Sequence, residues 1–225
     1  MVILHAQQIR KDLYIQNRTL TILESVSLSV NAGESIALLG ASGSGKTTLL
    51  GLLAGLDLPT QGQIEILGQS MTGLDEDSRA QFRLGKIGFV FQSFDLLPHF
   101  TALENVMLPL ELANEKDAKA RSVALLKQVG LGDRLDHYPN QLSGGEQERV
   151  AIARAYVIEP KILFADEPTG SLDEQSGEVV LKMLFDLNAQ KGTTLVFVTH
   201  DTEIAQRCQR EYKLEHGLLH ELSKI

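Results

Sequence analysis

The chain has 225 residues, 43% of them apolar, which bounds it to one large domain or two small ones with a well-buried core. Its single cysteine, Cys208, excludes a disulfide framework and suits a reducing compartment. A formal net charge of −8 argues against a chain whose main work is binding nucleic acid, which calls for a basic face.

No apolar run approaches the ~18 to 20 residues that cross a bilayer. The N-terminus lacks the basic start and continuous apolar core of a signal peptide. The expectation is a cytoplasmic chain, soluble alone and able to dock on a membrane protein.

The first part reads as β-rich. Residues 2–9 and 22–30 alternate as strands do, with Val26, Leu28 and Val30 on one face. Asn31-Ala32-Gly33-Glu34 reads as a turn, and Ser35-Ile36-Ala37-Leu38-Leu39 as a short buried strand. Next comes Gly40-Ala41-Ser42-Gly43-Ser44-Gly45-Lys46-Thr47, a full match to the phosphate-loop pattern G-x-x-x-x-G-K-[ST]. The following Thr48-Leu49-Leu50-Gly51-Leu52-Leu53-Ala54 reads as a helix, which completes the strand-loop-helix context the motif needs. Glycines there turn the backbone tightly and aim N–H groups at phosphate oxygens, and the helix start adds partial positive charge. The candidate nucleotide contacts are Gly40, Ser42, Gly43, Ser44, Gly45, Lys46, Thr47 and Thr48. Lys46 is expected to reach the β- and γ-phosphates, and the Thr47 hydroxyl to bind Mg²⁺.

Further strands are expected at 63–68 and 87–91. Residues 101–157 read as mainly helical: Leu103, Val106, Met107 and Leu110 share one face, as do Val123, Leu125, Leu126 and Val129. Strands return at 162–165 and 194–198 around a helix at 174–189. Alternating strand and helix around a nucleotide loop implies a parallel sheet covered by helices, with the middle helical block inserted as a separate lobe. Leu142-Ser143-Gly144-Gly145-Glu146-Gln147 opens one helix of that block. Ser143 and Glu146, three apart, fit a capping box, while Ser-Gly-Gly at a helix start is also an open anion site.

Here the sequence resembles the ABC ATPases. Leu142-Ser143-Gly144-Gly145-Glu146-Gln147-Glu148-Arg149 is similar to their signature motif, Phe91-Gln92 to the Q-loop, and Ile162-Leu163-Phe164-Ala165-Asp166-Glu167 to Walker B with its catalytic glutamate. Ser171-Leu172-Asp173 resembles the D-loop and Thr199-His200-Asp201 the switch histidine. The resemblance covers nearly the whole chain. It implies a single ABC ATPase domain over 1–225: an α/β phosphate-loop core with a mostly parallel sheet flanked by helices, an N-terminal antiparallel β subdomain, and an inserted α-helical subdomain. The β and core parts are expected at about 1–92 and 159–225, and the helical part with the signature at about 93–158.

It also implies site roles. Glu167, His200 and Gln92 would be catalytic, with Glu167 as general base for the attacking water. Thr47, Gln92 and Asp166 would hold Mg²⁺; a carboxylate at a strand end suits that ion. An aromatic that stacks on adenine is expected near Tyr14, with Leu13 as its rival. Two ATP molecules would lie head to tail in a homodimer, with Ser143, Gly144 and Gly145 of one subunit completing the other's site. Asp173 reads either as a helix N-cap or as a contact across that dimer.

Leu96-Leu97-Pro98-His99-Phe100-Thr101-Ala102-Leu103-Glu104-Asn105-Val106 and Phe164-Ala165-Asp166-Glu167-Pro168-Thr169-Gly170 resemble the lipoprotein-release and macrolide-export branch. That branch implies an FtsX/MacB-type membrane permease as a separate partner, a place on the inner face of the plasma membrane, and no nucleic-acid partner. The alternative is a regulatory ATPase that signals through an FtsX-like partner to periplasmic hydrolases. Ser171 stands where relatives often have Asn, and Glu148 where Gln is common. Phe94, Leu96, Leu97 and Phe100 read either as core or as an exposed groove for a coupling helix of the permease.

Overall fold

The computed structural model describes residues 1–16, 18–91 and 93–223. The chain falls into two compact units, Met1–Arg83 with Thr194–Ile225, and Leu84–Thr193.

The first unit holds β1 (Val2–Ile15), β2 (Arg18–Asn31), β3 (Ser35–Leu39), α1 (Lys46–Leu53), β4 (Gln61–Ile66), β5 (Gln69–Ser70) and α2 (Glu76–Arg83). The chain returns to it as β8 (Thr194–Thr199), α7 (Thr202–Arg207), β9 (Arg210–Glu215) and β10 (Leu218–Leu222). β2, β1, β4 and β5 form an antiparallel sheet in that order. Its buried face follows the period-two pattern of a half-covered sheet at Leu4 and Ala6 of β1, Val26, Leu28 and Val30 of β2, and Ile64 and Ile66 of β4; a register shift after Ala6 brings Ile9 to the same face. β3 behaves differently. It runs parallel to both β8 and β9. Ile36, Ala37 and Leu38 are fully buried in succession, the run expected of a strand covered on both faces. In this register Leu39 lies beside Thr199, so the chain leaves β3 for Gly40 and leaves β8 for His200 at neighbouring positions.

The second unit holds β6 (Ile87–Val90), α3 (Ala102–Leu112), α4 (Ala118–Gln128), α5 (Gly144–Tyr156), β7 (Ile162–Asp166) and α6 (Glu174–Lys191). β6 and β7 pair in parallel, with Val90 beside Ala165. Phe89 stacks on Phe91 at 5.5 Å and on Phe164 at 5.8 Å between ring centroids. The helical core joins Val106 and Leu110 of α3, Leu126 of α4, and Val150 and Ala153 of α5, with Leu131 and Leu142 from the connections. Of the expected face of α3, Val106 and Leu110 are buried in this core and Leu103 packs at its edge, while Met107 is half-buried and outside it. On α4, Leu126 and Val129 are buried, but Ser122 rather than Val123 takes the fully buried position one turn earlier.

Two polar side chains shape the connection into α3. Asn105, wholly buried, accepts from the Leu97 amide at 2.8 Å and donates to the carbonyls of Leu97, Phe100 and Thr101. Arg154 of α5 donates to the carbonyls of Phe94 and Asp95 at 2.9 and 2.7 Å, where both residues take left-handed backbone angles. The segment divides as a result. Leu96 packs against the helical core, while Leu97 and Phe100 stand 38% and 36% exposed.

Candidate active site

The phosphate loop is shaped by close approach. A methyl group on Gly40 would come within 2.6 Å of Ser44 Oγ and 2.8 Å of the Leu214 carbonyl, so no side chain fits there. Gly43 and Gly45 adopt φ of 76° and 98°, the left-handed region that glycine enters without steric cost. Gly45 caps α1, and the first-turn amides of Lys46, Thr47 and Thr48 lack a carbonyl four residues back in the helix. No acidic residue occupies that turn, so nothing in it competes for an anion. Lys46 Nζ donates to the carbonyls of Gly40 and Ala41 at 2.7 and 3.1 Å, which holds the ammonium at the loop mouth. Ser44 Oγ is buried without a hydrogen-bond partner among the described residues. A buried orphan hydroxyl inside a ring of amides fits a loop built around an absent anion. Ser42 and Gly43 lie exposed on its rim. The β3–β8 register then sets His200 next to this loop, and Asp201 caps α7 by accepting from the Glu203 amide at 2.7 Å.

In the second unit Asp166 ends β7 after four buried apolar residues. Glu167 follows with φ 47°, a costly conformation for a side-chain-bearing residue and one that clusters at functional sites. Both are half-buried. Gln92, expected at the end of β6, lies outside the described residues. Among the described residues no cluster of three His, Cys, Asp or Glu could hold a metal; Thr47 in the first unit and Asp166 in the second carry the oxygens that the sequence assigns to Mg²⁺. Hard oxygen donors of this sort suit Mg²⁺, which keeps several waters.

The signature segment is an exposed helix start. Ser143 Oγ accepts from the Glu146 amide at 3.3 Å, and the Glu146 carboxylate accepts from the Ser143 amide at 2.8 Å, so the capping box forms. That amide, with Arg134 alongside, holds the Glu146 carboxyl below its usual range. Asp173 caps α6, accepting from the Ser176 amide and hydroxyl at 3.0 and 2.7 Å, which lowers its carboxyl too. The two helix starts touch: a methyl on Gly145 would lie 3.3 Å from Ser176 Oγ, and one on Gly144 would lie 3.7 Å from Leu172 Cδ2. The sequence offered no sign of Arg134 or Arg154, because each meets a partner distant along the chain, nor of Ser176, which meets Gly145 from another helix.

Tyr14 and Leu13 occupy opposite faces of the β1–β2 hairpin. Leu13 pairs with Leu20 and Tyr14 with Thr19. Tyr14 is 74% exposed, on the face away from the phosphate loop that carries Arg10, Asp12 and Thr21.

Glu148 of α5 is fully buried, and neither carboxylate oxygen has a hydrogen-bond partner among the described residues. Burial pushes its carboxyl up to about 8, against a smaller opposing pull from Arg154. The acid is therefore uncharged at neutral pH.

A glycine-shaped phosphate loop at the start of α1, with His200 leaving β8 beside it, defines a phosphate-loop nucleotide-binding chain. The chain belongs to the ABC transporter family, whose profile matches residues 23–170, and it is an ABC-type ATPase with ATP and Mg²⁺ as cofactors. It is 51% identical over 221 residues to the ABC transporter ATP-binding protein YbbA of Escherichia coli, covering 97% of each chain. It is 48% identical over 222 residues to the lipoprotein-releasing system ATP-binding protein LolD of Alcanivorax borkumensis, covering 98% of this chain and 97% of that one. Among solved structures, the ATP-binding cassette MJ0796, in a dimeric post-hydrolysis state bound to ADP and Pi, superposes with a TM-score of 0.90 at 38% identity, covering 99% of this chain and 100% of that one.

Proposed function

We propose that this chain is the ATPase subunit of a bacterial inner-membrane ABC complex. It binds two Mg-ATP at a head-to-tail dimer interface and drives an FtsX/MacB-type permease in export or in lipid and lipoprotein handling. The observation that carries the reading is the Lys46 ammonium held at the mouth of a glycine loop next to the open start of α1. The relatives support the finer part. One is named for lipoprotein release. Another is the macrolide export ATP-binding/permease protein MacB of Syntrophobacter fumaroxidans, 46% identical, of which this chain matches 31%. No helix among the described residues is long and apolar enough to cross a membrane. Leu97 and Phe100, exposed on a segment fixed by Asn105, offer the apolar contacts a coupling helix needs.

In this reading the loop amides and Lys46 bind the β- and γ-phosphates. Thr47 and Asp166 would hold Mg²⁺, which offsets phosphate charge. Glu167 takes a proton from the attacking water, and His200 orients that water and contacts the γ-phosphate. Ser143, Gly144 and Gly145 of the partner subunit stabilise charge on the transferring group.

Lys46→Ala removes the charge-assisted contact to the phosphates. Such contacts are worth about 1.5–3 kcal/mol, so Mg-ATP affinity should fall roughly 10- to 100-fold by isothermal titration. An affinity equal to that of the unaltered chain would remove the phosphate loop from the site.

A further inference from the structure

The phosphate loop is gripped at both ends by a segment distant along the chain. β9 and β10 are joined by the two-residue loop His216-Gly217, with Glu215 paired to Leu218. His216 and Gly217 take φ of 51° and 74°, the left-handed pair of a type I′ hairpin turn. His216 is exposed and Gly217 is buried, so the turn is pressed inward at the glycine. It meets β2. The Glu24 amide donates to the Gly217 carbonyl at 2.9 Å. A methyl on Gly217 would lie 3.1 Å from the Glu24 nitrogen and 3.2 Å from the Ile22 carbonyl. Lys11 pairs with Leu23 and Asp12 with Thr21, which leaves Ile22 as an extra residue in β2, a bulge that re-aims its side chain. That side chain meets the helix end of the loop: a methyl on Gly45 would lie 2.9 Å from Ile22 Cγ2. The hairpin reaches the other end directly. β9 runs parallel to β3 with Lys213 beside Leu39, and the next carbonyl, that of Leu214, would lie 2.8 Å from a methyl on Gly40.

We propose that the β9–β10 hairpin braces the phosphate loop, with Gly217 as a positioning residue that acts through Ile22 on the Gly45 end. The inference rests on the nucleotide reading of that loop. The loop binds through backbone amides, and their aim is fixed only if the backbone is. Its glycines, at φ of 76° for Gly43 and 98° for Gly45, do not fix it themselves, since glycine has the widest conformational freedom. Contacts from outside supply what the glycines lack. Donors already ordered bind an anion more tightly than donors that must be ordered on binding. Gly217 is required twice over, by its φ and by its approach to β2. A side chain there displaces residues 22–24, and with them the contact to Gly45.

The test is isothermal titration of the full-length chain and its variants with Mg-ADP, together with hydrogen exchange in the absence of nucleotide. Asn tolerates the left-handed region, so what Gly217→Asn adds is a side chain against β2. It should weaken Mg-ADP binding about fivefold and speed exchange in peptides covering residues 40–48. Ile22→Ala removes the contact to Gly45 and leaves the turn alone, and it should weaken binding by a similar factor of about five. The double variant should also lose about fivefold, not the product of about 25-fold, because both changes cut the same link. Unchanged affinity in Gly217→Asn, a product-sized loss in the double variant, or faster exchange confined to the hairpin overturns the brace while leaving nucleotide binding intact. If Gly217→Asn does not fold, Ile22→Ala decides: unchanged affinity and unchanged exchange over residues 40–48 overturn the brace as well. Failure of the unaltered chain to bind Mg-ADP overturns the phosphate-loop reading and the brace with it.

Discussion

Glu148→Gln is expected to stabilise the protein strongly at pH 8 and little at pH 5. The Glu148 carboxyl ionises near 8 in the folded chain, against 4.5 for an ordinary glutamate, chiefly because burial disfavours the anion. Between those values the folded protein holds a proton that the unfolded chain has released. Stability therefore falls as pH rises from about 4.5 to about 8, by roughly 1.4 kcal/mol per pH unit, and levels off above 8. Summed over that window the cost is on the order of 4 kcal/mol. Gln keeps the shape and removes the ionisation, but leaves an amide in the same partnerless site, so the net gain at pH 8 is about 2 kcal/mol. In a chain of this size that is roughly 4–8 °C in the thermal midpoint. At pH 5 the folded glutamate is protonated while the unfolded one, above its 4.5, is mostly ionised; the ionisation cost is then below about 1 kcal/mol, less than the amide's own cost, and the gain vanishes. Thermal melts of both proteins at the two pH values measure this. An equal shift at pH 5 and pH 8 would mean Glu148 is not a buried neutral acid.

The two glycine-rich helix starts were legible because local chemistry makes them. Gly45-Lys46-Thr47 and Ser143-Gly144-Gly145-Glu146 specify helix starts within a few residues, and both form as expected. β3, β7 and β8 were legible because a strand buried on both faces writes a continuous apolar run. α2 was not: Glu76-Asp77-Ser78-Arg79-Ala80-Gln81-Phe82-Arg83 carries almost no apolar periodicity, and ion pairs from Glu76 to Arg79 and Arg83 brace it instead. The β9–β10 hairpin was missed for a related reason. Its polar positions, such as Arg210 paired with Glu221, interrupt the pattern, and Arg210 also lies over the Tyr212 ring. The face borne by Tyr14 was undecidable from spacing, because the bulge at Ile22 shifts the pairing by one residue and only the register reveals it. Ser122 displaced Val123 from the buried row of α4 by a single position, a shift finer than an apolar stripe can specify.

Glu167→Gln should bind Mg-ATP and fail to hydrolyse it, with turnover down by about 10²- to 10⁴-fold, because an amide cannot accept the water's proton. The left-handed backbone at Glu167 is kept by the substitution, so the fold should survive and the variant should accumulate as an ATP-bound dimer. Light scattering in saturating Mg-ATP checks this; monomer alone would contradict the sandwich. The dimer also predicts who completes each site. Ser143 and Gly144 are exposed at the start of α5, and the Ser143 hydroxyl is turned inward only as far as the Glu146 amide, at 3.3 Å, so the helix start remains open to a phosphate from outside the subunit. Ser143→Arg should then bind ATP almost normally and not hydrolyse it as a homodimer. Mixed with Lys46→Ala, it forms heterodimers in which one site carries both lesions and the other neither. Partial ATPase activity in the mixture, absent from each variant alone, is the expected result. If proven heterodimers show no rescue, a cross-link between position 143 and the partner's phosphate loop decides the cause. Its formation would mean that the two sites fire only together, and its absence that Ser143 serves the nucleotide of its own chain.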